Sequence, residues 1–385
     1  MRVFILAGEP SGDRLGGALM QGLRQLVPDV EFDGIGGPMM IGQGLQSRFP
    51  MSELSVMGLT EVLPKFFHLK RRIAETAQAV LEMQPDVLIT IDSPDFSLRV
   101  AKLVKAASTV RTVHYVAPSV WAWRPGRADK MAKVIDHVLA LLPFEPPYME
   151  RAGMECDFVG HPVAADPVAS ADETAALRAE LGLCDAPVLL ALPGSRRGEI
   201  ERLAPVFGAA LSAFLKDRPN MRVVVPAVPH VVDLVQAQTA DWPGNPVILD
   251  PRGHDSDAAA ARKRAAFAMA DLALAASGTV SLELAAQNTP MVIAYKLSWL
   301  TQKIAERMVK LDTVTLVNLV SETRVVPECL GPDCTPENVA AALAALQADP
   351  AAQAEAMALT MQRLGCGGEA PGLRAARAIL KRMQG

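Results

Sequence analysis

Apolar residues recur along the chain as short runs followed by glycine-containing turns and then by stretches with helical spacing. The first unit opens with RVFILA, continues through the turn GEPSGD, and reaches Leu15, Leu19, Leu23 and Leu26, one apolar face of a helix. Strand, loop and helix are predicted in that order. The same unit returns at DVLITID (86–92) before SLRVAKLVKAA, then at TVHYV (112–116), HVLALLPF (137–144) and DFVG (157–160). From His161 the composition shifts to proline, alanine and acidic residues, placing a domain boundary within 161–186. A second series follows: PVLLALPGSRRGEI, MRVVVPAV (221–228), PVILD (246–250), DLALAASGTVSLELA (271–285) and MVIAY (291–295). The tail 340–385 reads as two helices broken at 365–368. Alternating strands and helices predict an α/β protein of two doubly wound domains, 1–165 and 166–362, facing across a cleft. The last segment, 363–385, forms a helix that either stays with the second domain or crosses back to the first.

Composition narrows the function. In 385 residues of which 50% are hydrophobic there is material for two cores. The balance of 38 Lys and Arg against 42 Asp and Glu, a formal charge of -4, supplies no global attraction for nucleic acid. Five scattered cysteines argue against a disulfide framework, and Cys329 and Cys334, without His or Cys at zinc spacing, read as core residues. No apolar run approaches the roughly 18 residues of a membrane span, and the apolar stretch 3–7 is too short for a secretory signal. A cytoplasmic chain is expected.

Five loops could carry chemistry. Gly8, Glu9, Ser11 and Asp13 follow the first strand; they are either a ligand-approaching turn or a turn with Ser11 or Asp13 capping the next helix, and the motif is neither a P-loop nor a three-glycine dinucleotide fingerprint. Asp92 ends an apolar strand, where a carboxylate serves as a general base, or else forms an Asx turn with Pro94 or leaves a cap at Asp95. Trp121, Trp123 and Arg124 in HYVAPSVWAWRPGR form a platform for sugars or acyl chains, or a buried tryptophan pair anchoring a loop. Gly194, Ser195 and Arg196 lead into a helix, an arrangement suited to a diphosphate, with solvated arginines as the alternative. Ser277, Gly278 and Thr279 can present amides and hydroxyls to phosphate, and Glu283, one turn later, can accept ribose hydroxyls or simply complement the helix dipole. Asp255 and Asp257 read as a surface loop or helix cap, so no metal site is expected. The segment 56–73 combines Phe66 and Phe67 with Lys65, Lys70, Arg71 and Arg72, fitting either an anionic lipid surface or a core helix with a basic face.

The ordered set GEPSGD, VMGLTEVL, DSPDF, HYVAPSVWAWR, FVGHP, LPGSR, SGTVSLE, Val317-Asn318-Leu319 and Val326-Pro327-Glu328 resembles the lipid-A-disaccharide synthase family over residues 3 to about 330. The resemblance implies a GT-B architecture and an inverting, metal-independent glycosyltransferase without cofactor. Its substrates would be UDP-2,3-diacylglucosamine and 2,3-diacylglucosamine 1-phosphate (lipid X), its products UDP and a β-1,6 disaccharide. It gives Asp92 the part of base, Glu9 and Glu61 parts in the acceptor half, and Ser11, Met57, Trp121, Trp123 and Arg124 places in the acceptor loops. Gly194, Ser195, Arg196, Ser277, Gly278, Thr279, Glu283, Asn318 and Glu328 fall on the donor side. Diacylated substrates also imply peripheral attachment to the inner membrane through 56–73. The chain departs from the family with Ser97 in place of Asn, a change expected to leave the base untouched, and with Gly331 in place of Gln, which removes one donor-side side chain. A UDP-sugar 2-epimerase or a non-catalytic nucleotide-sugar or lipid sensor would use the same architecture.

Overall fold

The computed structural model describes residues 1–54, 62–121, 126–296 and 312–384, with the side chains of 62–66 outside the description. Met57, Glu61, Trp123 and Arg124 lie outside the described residues. The chain forms two compact units: Met1–Ala165 together with Leu364–Gly385, and Asp166–Arg363.

In the first unit the strands are β1 (Arg2–Ala7), β2 (Glu31–Ile35), β3 (Val87–Ile91), β4 (Arg111–Tyr115), β5 (His137–Ala140) and β6 (Glu155–Phe158), in the order β2-β1-β3-β4-β5-β6. Every pairing is parallel. Strand periodicity divides the core. Val3, Ile5, Ala7, Val87, Ile89 and Ile91 face Leu15, Leu19 and Leu23 of the helix Pro10–Leu26 and Ala375, Ala376 and Ile379 of the helix Pro371–Met383. Phe4, Leu6 and Leu88 face the other way, onto Ile73, Ala77 and Val80 of Val62–Met83 and Val100 and Val104 of Pro94–Ala107. Both faces of the sheet are therefore covered, which is why its strands read as continuous apolar runs.

The last helix belongs to the first unit. Backbones meet where Gly22 and Gly372 face each other: a Cβ at Gly372 would stand 2.4 Å from the Ala18 carbonyl oxygen. Arg382 Nε donates to Asp157 at 2.9 Å, and the Arg374 guanidinium lies over the Phe158 ring.

The second unit contains β7 (Val188–Leu192), β8 (Arg222–Pro226), β9 (Val247–Leu249), β10 (Leu272–Ala276), β11 (Met291–Tyr295) and β12 (Glu328–Leu330), ordered β12-β11-β10-β7-β8-β9. This is the dinucleotide-fold order, again fully parallel. Ile200, Leu203, Phe207 and Leu211 of the helix Arg197–Phe214 and Val339 and Leu343 of Pro336–Ala348 cover one face.

Two strands escape the sequence pattern. β2, EFDGI, carries Asp33 and Gly34, while β12 is only three residues long. The tail also differs from the expected helix pair: Pro336–Ala348 and Ala351–Arg363 are separate helices, interrupted at Pro350 because its ring and missing N–H cannot continue the first.

Candidate functional site

In an open parallel sheet, the strands on either side of the point where strand order reverses send their following loops in opposite directions and leave room for a ligand at their carboxyl ends. In the first unit that point lies between β1 and β3, in the second between β7 and β10. Four of the five candidate loops are the ones that leave these four strands.

At the first switch point, Gly8 and Glu9 follow β1, and Glu9 occupies the cap position of Pro10–Leu26, its side chain exposed. Ser11 lies in the first turn rather than at the cap position and is also exposed. Asp13 caps a different helix: its carboxylate accepts from the amides of Gly37 (2.8 Å), Met39 (2.9 Å) and Met40 (3.0 Å) at the start of Pro38–Gly42. Asp13 is thus consumed by the fold.

After β3, Asp92 and Ser93 both adopt left-handed backbone, with φ of 49° and 44°. Such a pair of non-glycine residues costs on the order of 1–3 kcal/mol for each member. Neighbours hold it in place: the Asp92 amide donates to the Tyr115 carbonyl at 3.0 Å and the Ser97 hydroxyl to the Asp92 carbonyl at 2.8 Å. The departure at Ser97 therefore touches the backbone of the candidate base directly. Ser93, not Asp95, occupies the helix cap position, and Asp95 is exposed. A Cβ at Gly8 would stand 2.6 Å from Ser93 Oγ, so the β1 and β3 loops are in contact through a glycine. The Asp92 side chain remains partly open to solvent.

Trp121 is an anchor. Its indole donates to Glu145 at 3.3 Å and its ring meets Phe144 edge-on, with centroids 5.3 Å apart. Glu145 also accepts from the Leu141 and Leu142 amides, and burial pushes its carboxyl up to about 7.

At the second switch point, Gly194 has φ of 125°, a conformation that favours glycine, and a Cβ there would stand 2.7 Å from Glu199 Cβ. Ser195 and Arg196 are exposed, and Arg196 occupies the cap position of an 18-residue helix, Arg197–Phe214. Glu199, which the sequence reading passed over, accepts from the Ser195 amide and from Arg196 Nη1, each at 3.2 Å. After β10, Ser277 is half-buried while Gly278 and Thr279 are exposed, and nothing lies within 4 Å of a Cβ built on Gly278. Backbone there is open to a ligand's approach. Glu283 sits in the first turn of the next helix and is paired with Lys263 at 2.5 Å. Lys263 also borders a cavity of about 170 Å³ at the ends of β8 and β9, lined among others by Val228, Leu249, Asp250 and Arg262.

The remaining donor-side candidates are built into the unit. Asn318 is buried, its amide exchanging bonds of 3.0 Å with both the carbonyl and the amide of Val326. Glu328 Oε1 accepts from the Val314 (3.0 Å) and Thr315 (2.7 Å) amides, closing the start of the helix Leu316–Ser321. Both serve the turn leading to β12. Gly331, with φ of 55°, uses the left-handed backbone that glycine tolerates. Asp255 caps the helix Ser256–Ala268 through the Ala258 amide at 2.8 Å, and Cys329 and Cys334 are buried.

In the described part of 56–73, Phe67 is 67% exposed and Lys70 and Arg71 face solvent. Arg72 does not join them. It donates to Glu53 and Glu75 and lies 4.4 Å above the Phe49 ring. Among the described residues no helix is long and apolar enough to cross a membrane.

Comparison with known proteins gives the family and the fold. Residues 3–369 match the family described as lipid-A-disaccharide synthetase. A lipid-A-disaccharide synthase of Ruegeria pomeroyi is 80% identical, covering 100% of this chain and 96% of that protein; one from Rhodospirillum centenum is 46% identical, with 98% and 94% covered. Among solved structures, UDP-GlcNAc 2-epimerase from Neisseria meningitidis bound to UDP-GlcNAc aligns with a TM-score of 0.65 at 10% identity, covering 100% of both chains. MurG of Acinetobacter baumannii aligns at 0.55 and 15% identity, with 100% and 99% covered. Those identities establish the GT-B fold alone; the match across nearly the whole sequence places the chain in the lipid-A-disaccharide synthase family of glycosyltransferases.

Proposed function

We propose that the protein is an inverting glycosyltransferase that joins UDP-2,3-diacylglucosamine to 2,3-diacylglucosamine 1-phosphate, releasing UDP and forming the β-1,6 tetraacyl disaccharide 1-phosphate. The observation carrying this reading is the placement of Asp92, on strained and well-held backbone, at one switch point and of the exposed Arg196 at a helix start at the other. Asp92 takes the proton of the acceptor's 6-hydroxyl as that oxygen attacks C1 of the donor sugar. The bond from C1 to the diphosphate oxygen breaks on the opposite face, and UDP leaves with the electron pair. Arg196 and the open backbone around 277–279 stabilise the charge that develops on the diphosphate. Glu283, held by Lys263, receives the ribose hydroxyls, and the cavity at the ends of β8 and β9 takes the pyrimidine.

The remaining expected residues have supporting places. Glu9 borders the acceptor loop, with Glu61 and Met57 assigned to the same half by the family pattern, while Asn318 and Glu328 shape the donor wall through their backbone bonds. Phe67, Lys70 and Arg71 fit contact with an anionic membrane, from which both acylated substrates would be drawn.

The test is UDP release from purified protein supplied with the donor, with and without lipid X, in EDTA. Acceptor-dependent, chelator-resistant release that disappears in Asp92→Asn supports the proposal. Release that ignores the acceptor overturns it in favour of an isomerase or sensor.

A further inference from the structure

Glu199 is an unexpected neighbour for a diphosphate. Its side chain is only 11% exposed, yet it sits one helical turn beyond Ser195 and Arg196, in a loop where a second anion should repel the ligand. Its two oxygens divide the work. Oε2 accepts from the Ser195 amide and Oε1 from Arg196 Nη1, each at 3.2 Å. Arg196 is otherwise a loose group, with a side chain 81% exposed. Gly194 closes over the carboxylate, where any larger residue would strike Glu199 Cβ, and the Ser195 carbonyl is held from the other side by His230 Nε2 at 3.1 Å. Tyr295, at the end of β11, lies in the electrostatic field of Glu199. Tyr295 ionises above its ordinary range, first because it is buried and next because Glu199 stands beside it.

We infer that Glu199 is a positioning residue: it fixes the 194–196 turn and aims the Arg196 guanidinium at the diphosphate of the donor. This rests on the reading of Arg196 as the diphosphate ligand. An exposed arginine must give up several rotatable bonds to grip an anion, and a carboxylate beneath its guanidinium removes part of that loss in advance. The carboxylate's own charge is partly spent on an arginine and an amide, so its repulsion of the incoming diphosphate is reduced.

A double-mutant cycle on the full chain, with UDP as the calorimetric probe and thermal melting of each variant as the fold control, tests this. Arg196→Ala should weaken UDP. Glu199→Gln, which keeps the shape and one acceptor but loses the charge, should weaken it about tenfold, the scale of one hydrogen bond to a charged group. Glu199→Gln should not weaken it further in the Arg196→Ala background, and Glu199→Asp should recover less than half of the wild-type affinity. Glu199→Gln that binds UDP as well as or better than wild type overturns the inference, because the carboxylate would then be neutral or a competitor. Losses that add fully to that of Arg196→Ala overturn it too, since Glu199 would not act through the arginine. UDP binding untouched by Arg196→Ala is a separate failure, that of the diphosphate reading beneath it.

Discussion

The two switch points are built differently. In the first unit the critical loop is locked by backbone: consecutive left-handed residues, a serine hydroxyl on the Asp92 carbonyl, and a glycine against Ser93. In the second unit the loops are held by ion pairs, Arg196 with Glu199 and Lys263 with Glu283, whose members stay partly open to solvent. A base must hold one atom at a fixed point beside the acceptor, and covalent geometry does that better than an exchangeable pair. A nucleotide site must accept a charged ligand and release it, and solvent-facing cations do that at little cost in reorganisation. Under the proposed mechanism, strain collects where the proton would be moved, and charge where the leaving group would be held.

Breaking the first site has the largest expected effect. Asp92→Asn should cut turnover about 10²–10⁴-fold, the range for removing a general base, while UDP affinity stays at the wild-type value. A parallel fall in UDP affinity, read by calorimetry, would show that the division of labour is wrong. Next comes the hinge of the second site. Gly194→Ala forces a side chain into a φ of 125° and onto Glu199, so UDP binding should weaken about tenfold or more while the melting temperature shifts little. A large loss of thermal stability with unchanged UDP affinity would make Gly194 a folding residue.

How legible was this division in the sequence? The loops were visible because each follows an apolar strand and precedes helical spacing. Asp92 at the end of VLITI and Arg196 after VLLAL are examples. Their partners were not visible. Glu199 looks like an ordinary first-turn glutamate, and Lys263 lies 20 residues from Glu283 in an alanine-rich helix. Asp13 shows the converse: it sits in a suggestive loop, but its contacts are with amides more than 20 residues further along.

Membrane contact gives a smaller effect. Neutralising Lys70 alone should reduce affinity for anionic vesicles, read by co-sedimentation, about fivefold, at about 1 kcal/mol for a cation near the surface. Arg72 is left out, because its bonds to Glu53 and Glu75 make it part of the fold. Undiminished sedimentation would remove this surface from the account.

A prediction on stability alone, with no expected effect on activity, sharpens the description of the first core. His114 is buried, bonded to Thr90 at 2.7 Å, and held down to about 4 by loss of solvent. An unfolded histidine takes its proton near 6.5, so the stability contributed by neutral His114 is complete above about 6.5 and is lost as pH falls towards 4. Urea unfolding at pH 7 and pH 4.5 should show a smaller decline in His114→Gln than in the wild type. An equal decline would assign the acid sensitivity to other groups.

By itself the sequence determined the alternation of strand and helix, the parallel class of the sheets and the loops at their carboxyl ends, because these follow from local periodicity and from which residues tolerate turns. Only the tertiary structure decided the strand order, the edge strands β2 and β12, the packing of Pro371–Met383 on Pro10–Leu26 and the partners of each charged side chain. Those depend on contacts between residues far apart in the chain. Gly34 illustrates the limit: with φ of 145°, a Cβ there would stand 1.7 Å from the Ile5 carbonyl oxygen. That demand for glycine exists only once β2 lies beside β1, and no local pattern announces it.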